Sequence, residues 1–188
     1  MRKLLYFVAL LLATPAWAAT ALPADSLYHA DIRLTDQNGQ TFTLADRRGQ
    51  VQLVSMLYTS CPMVCPMIVD TLKMTRRAVG EQAAPMQTLV VSFDPARDDV
   101  ATLRAFAARR HLNLQHWTLA RAEPADVRTL AALLKLKYRQ LPDGEFNHSS
   151  ELIALDRDGR IAARTSIIGR VDPEFIASLQ ELLDRTRD

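Results

Sequence analysis

The stretch Tyr58-Thr59-Ser60-Cys61-Pro62-Met63-Val64-Cys65-Pro66-Met67 holds the only two cysteines among 188 residues. It follows an apolar run, Val51 to Leu57, that reads as a buried strand, and it leads into a segment of helical character. A strand ending in a dithiol loop that opens a helix puts two thiols at the helix N-terminus. There the helix dipole and free backbone N–H groups favour thiolate over thiol, which makes sulfur both nucleophilic and metal-binding. Three residues separate Cys61 from Cys65, where a thioredoxin-type motif has two. On a helix this i, i+4 spacing puts both sulfurs on one face, close enough to share a soft metal ion. A disulfide needs Cα atoms about 4.4–6.8 Å apart and could form here with modest backbone adjustment. A purely structural bridge across so short a loop constrains the unfolded chain little. A redox or metal site is the better reading.

Outward from this loop, strands and helices alternate. Thr88 to Phe93 reads as a second central strand, and Met67 to Val79 as the intervening helix, stopped by Gly80. Asp98 is expected to cap the next helix, whose core face is Val100, Leu103, Phe106 and Ala107. Trp117 to Leu119 is a short strand, and Pro124 starts a helix with Val127, Leu130, Leu133 and Leu134 inward. Leu152 to Leu155 and Ile161 to Ser166 form a hairpin around Asp158-Gly159, and Asp172-Pro173 caps a final helix ending near Leu183. Toward the N-terminus, Tyr28 to Leu34 and Thr41 to Leu44 flank Asp36-Gln37-Asn38-Gly39, a hairpin signal. Such alternation predicts an α/β sandwich with helices on both faces of the sheet.

Met1 to Ala18 has the features of a secretory signal: Arg2 and Lys3, an apolar stretch from Leu4 to Ala13, then Ala16-Trp17-Ala18 before a cut. The apolar stretch is about half of the twenty residues a membrane span needs. A cleavable leader, a periplasmic protein without a stable membrane anchor, and a single domain over residues 19–188 are therefore expected. The alternative is a tether to the inner membrane by an uncleaved N-terminus. The chain carries 23 basic and 21 acidic residues, and removing Arg2 and Lys3 leaves the two equal. A neutral mature chain gives no reason to expect a nucleic-acid partner. Export to an oxidising compartment makes a two-cysteine chain informative, since a disulfide scaffold of this size would carry more.

Copper(I) is content with two thiolates, whereas copper(II) or zinc also calls for a nitrogen. Four histidines are candidates. His29 precedes the first strand, His111 closes a helix where an imidazolium suits the dipole, and His116 stands beside Trp117 at a strand start. Surface or capping roles suit these three. His148 stands in Gly144-Glu145-Phe146-Asn147-His148-Ser149-Ser150, a polar loop that feeds a strand, where α/β folds put their sites. Asp94 and Asp98 leave a central strand toward a helix start and could orient a ligand, although an N-cap is the simpler account of Asp98. Met63 and Met67 offer soft thioethers beside the thiols, but methionine at helical spacing is more often core or an exposed docking surface.

With these pieces in order, the chain resembles the Sco/SenC family of copper chaperones for cytochrome oxidase, from about Leu34 to Gly169. The resemblance rests on Leu34-Thr35-Asp36-Gln37-Asn38-Gly39, on Tyr58-Thr59-Ser60-Cys61-Pro62 with Cys65-Pro66, on Ser92-Phe93-Asp94-Pro95 with Asp98, and on His148-Ser149 followed by Asp156-Arg157-Asp158-Gly159. It implies a thioredoxin-like α/β sandwich with an added N-terminal β-hairpin. It also implies copper held by Cys61, Cys65 and His148, with Asp94 and Asp98 as supporting residues. The implied partner is the copper-bearing subunit of a cytochrome oxidase, with another periplasmic copper chaperone or a thiol reductant as further partners. Two functions follow from the resemblance: delivery of copper to the copper A centre, or reduction of that centre's cysteines by a Cys61–Cys65 dithiol. Two departures stand out. Asn147 occupies a place where the family usually has aspartate, and no proline stands beside His148 where thioredoxins keep one facing their cysteines. A peroxiredoxin-like peroxidase is disfavoured, because Thr59 is not at the usual two-residue gap before the cysteine.

Overall fold

The computed structural model describes residues 21–185. In chain order its elements are β1 (Arg33–Asp36), β2 (Thr41–Thr43), β3 (Gln52–Leu57), α1 (Val64–Val79), β4 (Gln87–Ser92), α2 (Val100–Arg109), β5 (Trp117–Ala122), α3 (Pro124–Leu133), β6 (Tyr138–Gln140), β7 (Phe146–His148), β8 (Leu152–Leu155), β9 (Ile161–Thr165) and α4 (Pro173–Asp184). The proposed signal segment, residues 1–18, lies outside the described residues. Among those described, no helix is long and apolar enough to cross a membrane.

The apolar run before the dithiol is the middle of the sheet. Every residue of β3 is buried, because the strand is flanked by parallel β4 and antiparallel β8 and covered on both faces. The seven strands lie in the order β2-β1-β5-β4-β3-β8-β9. Alternate side chains divide between two cores. Leu53 and Leu57 of β3 join Ile68, Val69 and Leu72 of α1, Leu103 and Phe106 of α2, and Phe175 and Leu179 of α4. Val54 and Met56 face the other way, toward Val127, Leu130 and Leu134 at α3. Helices thus cover both faces of an α/β sheet, with the β1–β2 hairpin added antiparallel to β5 at one edge.

Helix α1 buries Cys65, Ile68, Val69 and Leu72, the i, i+3, i+4, i+7 stripe of a helix packed on a sheet. It ends at Gly80, whose φ of +74° is cheap only without a Cβ. At the N-terminal hairpin, Asp36 Oδ1 accepts from the N–H groups of Asn38 (2.8 Å) and Gln40 (2.9 Å). Asp172 caps α4 with Pro173 in its first turn, as the sequence predicts.

Four boundaries differ from the sequence reading. Tyr28 is not in a strand: Leu27–His29 is a single 3-10 turn, with Ser26 Oγ accepting from the Tyr28 N–H. The Tyr28 ring instead lies against Gly159, where a Cβ would come within 2.7 Å of it. Strand β5 runs on to Ala122, because the hairpin gives it a second partner through Leu34↔Ala122. The loop expected around His148 is the end of a separate two-stranded hairpin, β6–β7. The cap of α2 is Asp99, whose side chain accepts from the Thr102 N–H at 2.7 Å. Asp98 therefore does something else.

Candidate metal centre

The site forms at the carboxyl ends of the parallel strands β3 and β4. The loop from Tyr58 to Met63 links β3 to α1, and no side chain caps the helix at Met63. Its shape is set by Asp98, which is 1% exposed. Asp98 Oδ2 accepts from the Thr59 N–H (3.0 Å) and from the Ser92 hydroxyl, and Oδ1 accepts from the Thr59 hydroxyl. A buried carboxyl with three donors fixes the loop just before the first cysteine. The cap role that the residues alone suggested for Asp98 belongs to Asp99, and Asp98 binds the dithiol loop and Ser92 instead.

Both cysteines are free thiols, Cys61 partly exposed and Cys65 buried. Cys61 Sγ lies 3.5 Å from the Cys65 nitrogen and accepts its N–H. Cys65 Sγ in turn accepts from the Tyr58 N–H at 3.5 Å and meets His148 Nε2 at 3.8 Å. His148 closes β7, and its Nδ1 is 2.9 Å from the Ser149 carbonyl oxygen. A carbonyl can only accept, so Nδ1 carries the proton and Nε2 presents its lone pair to the sulfur. The ring is packed by Phe93 and Tyr58, with centroids 4.9 and 5.8 Å away.

These residues suit a soft metal ion. With metal–sulfur and metal–nitrogen distances of about 2.3 and 2.0 Å, two ligands of one trigonal ion stand about 3.7 Å apart. The Cys65–His148 separation of 3.8 Å is close to that. Among the described residues no group of three or more Cys, His, Asp or Glu side chains already forms a cage. Cys65 and His148 are the pair in contact, and Cys61 lies at the mouth. A cavity of about 280 Å³ opens there, lined by Cys61, Met63 and His148 among others.

The two thiols are not equally activated, contrary to the expectation from the helix dipole alone. Burial pushes the Cys65 thiol far up, outweighing the hydrogen bond from the Tyr58 N–H. At Cys61 burial also opposes ionisation. Donation from the Cys65 and Met63 N–H groups, together with the Cys65 and Tyr58 side chains, overcomes it and leaves the pKa below the usual thiol value. Cys61 is therefore the more acidic of the two thiols and the one expected to react first. Brief treatment with iodoacetamide near pH 7.5 should modify Cys61 at least about 10-fold faster than Cys65, as peptide mapping by mass spectrometry would show. Equal labelling, or Cys65 first, contradicts that assignment.

Asp94, 3% exposed, has its hydrogen-bond and ion-pair partners in Ser92 and Arg97. It pairs with Arg97, and Ser92 Oγ accepts its N–H at 2.9 Å. Arg97 in turn reaches the Gly144 carbonyl (2.6 Å) and Glu145 (3.6 Å) on the β6–β7 turn. Glu145 Oε2 accepts from the Tyr58 hydroxyl at 2.8 Å, and burial, with this bond next, raises the Tyr58 pKa. Tyr58, Thr59, Ser92, Arg97 and Glu145 were not singled out from the sequence. Tyr58, Thr59 and Ser92 stand inside the motifs that carry the resemblance, Glu145 in the loop before His148 and Arg97 between the two aspartates, but none of these positions names a role.

The other histidines stay away from the site. His29 Nε2 contacts the Pro23 carbonyl at 2.9 Å. His111 follows α2 with a positive φ of 50°, and His116 precedes β5, at the opposite end of the parallel strands. Met63 is 72% exposed beside the cavity, and Met67 rests against Gly169.

A dithiol on a strand-to-helix loop, faced by a histidine at the strand ends of an α/β sandwich, defines a thioredoxin-like protein with a metal-competent site. The chain matches the SCO1/SenC family over residues 21–183, and it belongs to that family. It is similar to the mitochondrial SCO2 homologue of Mus musculus, with 33% identity over 96 residues, half of this chain and 38% of that protein. The matched region also spans under two thirds of the length of two SCO2-like proteins from Rickettsia. Among solved structures it is similar to Bradyrhizobium japonicum ScoI with copper bound, at 26% identity and a TM-score of 0.68, covering 84% of this chain and 98% of that one. It also shares its fold with BsSco, described as carrying a disulfide switch and as a member of the Sco family of cytochrome c oxidase assembly proteins. There the identity is 19% and the TM-score 0.68, covering 81% and 91% of the two chains.

Proposed function

We propose that this chain is an exported copper-binding protein of cytochrome oxidase assembly, which holds copper as cargo through Cys61, Cys65 and His148. The observation that carries the reading is Cys65 Sγ at 3.8 Å from a His148 Nε2 whose lone pair is freed by the Nδ1–H donated to Ser149. Two thiolates satisfy copper(I), and the imidazole adds the nitrogen that copper(II) needs. The copper bound by the Bradyrhizobium ScoI structure supports the same cargo. The copper-bearing subunit of the oxidase is the recipient in this reading, supported by the family membership and by the assembly role given for BsSco. Release to the periplasm by cleavage after Ala18 follows from Ala16-Trp17-Ala18. Intact mass of the exported protein would test it.

A second reading, thiol–disulfide exchange with the recipient, is favoured by the unequal thiols. Cys61 as thiolate would attack a partner disulfide, and Cys65 would then resolve the mixed disulfide. The partner gains two thiols and this chain a disulfide, which a thiol reductant must reduce again.

Titrating the purified, reduced chain with copper(I) in the presence of a competing chelator tests the first reading. One tightly bound copper per chain is expected. Absence of binding above the chelator's would leave the exchange reading standing.

A further inference from the structure

We propose that Arg97 is the residue that holds His148 in register with the thiols, acting at the turn of the β6–β7 hairpin. The inference rests on the copper reading for its consequence but not for its geometry. Strands β6 and β7 have three residues each and pair only with one another, outside the seven-stranded sheet. A cavity of about 290 Å³ lies between the hairpin and the domain, lined by Phe93, Asp94, Tyr138 and Phe146 among others. Tyr138 and Phe146 do pack against the core, with the Phe93–Tyr138 rings 5.0 Å apart and Tyr58–Phe146 5.2 Å apart, but both stay only partly buried, so packing fixes the strands and leaves the turn to polar contacts.

Beside the bonds that Tyr58 makes to Glu145 and to the Phe146 N–H, Arg97 supplies the main polar constraint on the turn. Its Nε pairs with Asp94, its Nη2 donates to the Gly144 carbonyl at 2.6 Å, and its Nη1 faces Glu145 Oε1 at 3.6 Å. Three nitrogens of one planar fork thus meet three acceptors whose directions are set by the protein. The anchor is firm, because Asp94 is buried and its own N–H is bonded to Ser92. The far end is firm too, because Glu145 also accepts from Tyr58, the residue that opens the dithiol loop. The five residues Asp94 to Asp98 consequently reach both halves of the site. Asp98 shapes the loop that carries Cys61, and Asp94 through Arg97 sets the hairpin that ends in His148. Arg97 does not touch His148, so it is a positioning residue. A plain surface ion pair at this 42% side-chain exposure would add little stability and would have no connection to His148.

The test uses Arg97→Met, Arg97→Lys, His148→Ala and the double variant Arg97→Met/His148→Ala. In the copper-free chain, amide exchange reports on the hairpin directly, through hydrogen bonds such as Leu141 N–H to Glu145 (2.7 Å) and Ser149 N–H to Lys137 (2.8 Å). Arg97→Met should speed exchange there about 10-fold while leaving α1 and β3 unchanged. Unchanged hairpin exchange would overturn the proposal. Copper(II) affinity should fall about 10-fold in Arg97→Met, the scale of losing an outer partner of a metal ligand. Arg97→Lys should fall in between, since an ammonium cannot span three acceptors. In the His148→Ala background the same Arg97→Met change should be nearly silent, because its effect runs through the imidazole. An equal loss in both backgrounds overturns the coupling. Because the exchange measurement contains no copper, it decides the clamp even if the wild type fails to bind the metal and the copper reading falls.

Discussion

Cys65→Ser should weaken copper(I) binding by well over 100-fold, more than the 10–100-fold typical of losing an outer partner of a metal ligand. Cys65 is the hub of the site: its sulfur touches His148 Nε2 at 3.8 Å, and its N–H donates to Cys61 Sγ. A serine hydroxyl is a hard oxygen that stays protonated near neutral pH, and copper(I) prefers soft thiolate. The side chain is buried but becomes smaller by the change, and serine can keep the bond from the Tyr58 N–H, so the fold should survive. His148→Ala should behave differently. Two thiolates remain, so copper(I) binding persists in part, whereas copper(II), which needs the nitrogen, should lose about 100-fold or more. Competition against chromophoric chelators for each oxidation state reads both numbers. Wild-type copper(I) affinity in Cys65→Ser would remove the sulfur from the site. The pair of variants also separates the two functional readings in cells. A copper carrier needs His148 for oxidase assembly, while a dithiol reductant needs only the cysteines. At Cys65 burial holds the thiol proton firmly, and the metal must displace it. Copper affinity should therefore rise with pH across the neutral range.

The elements that position the thiols are legible because their signals are strong and local. Val51 to Leu57 is an unbroken apolar run, α1 has a clean stripe from Cys65 to Leu72, and Gly80 and Asp172-Pro173 punctuate two helices. What escapes the sequence is tertiary. Strands β6 and β7 are short, polar and mostly half-exposed, so no alternation marks them, and their register depends on Arg97 and Tyr58 from elsewhere in the chain. Asp98-Asp99 offers two equivalent caps in sequence. The choice of Asp99 frees Asp98 for Thr59, 39 residues away, a pairing that no local rule reveals. The inequality of the thiols is likewise invisible in a C-x-x-x-C spacing. It arises because α1 turns Cys65 into the core and leaves Cys61 on the rim. Of the four histidines, position at the strand ends favoured His148. Only the fold places the other three at a distance.

Asp98→Ala should be the most disruptive change that touches neither cysteine nor histidine. It strands the Thr59 N–H and the hydroxyls of Thr59 and Ser92 around a buried void. Unsatisfied buried donors cost about 1–3 kcal/mol each, and the hydroxyls can turn toward other acceptors while the backbone N–H cannot. A total loss of about 2–4 kcal/mol is expected. At about 2–4 °C per kcal/mol for a chain of this size, the midpoint of thermal unfolding should fall by about 5–15 °C. The dithiol loop should loosen as well, so copper affinity falls with stability. Asp98→Asn separates geometry from charge. Its amide oxygen can occupy the Oδ2 position and accept from Thr59 N–H and Ser92, while its NH₂ donates to a rotated Thr59 hydroxyl. Most of the stability should return. The negative charge does not, and that charge is one of the influences that raise Cys65, after burial and the neighbouring Cys61. Removing it lowers the Cys65 pKa, so the thiolate fraction at a given pH increases. Asp98→Asn should therefore unfold near the wild-type temperature yet alkylate faster at Cys65. Unfolding as early as Asp98→Ala would show that the carboxylate charge itself, rather than its hydrogen bonds, holds the loop. Wild-type unfolding of Asp98→Ala would remove Asp98 from the site's scaffold altogether.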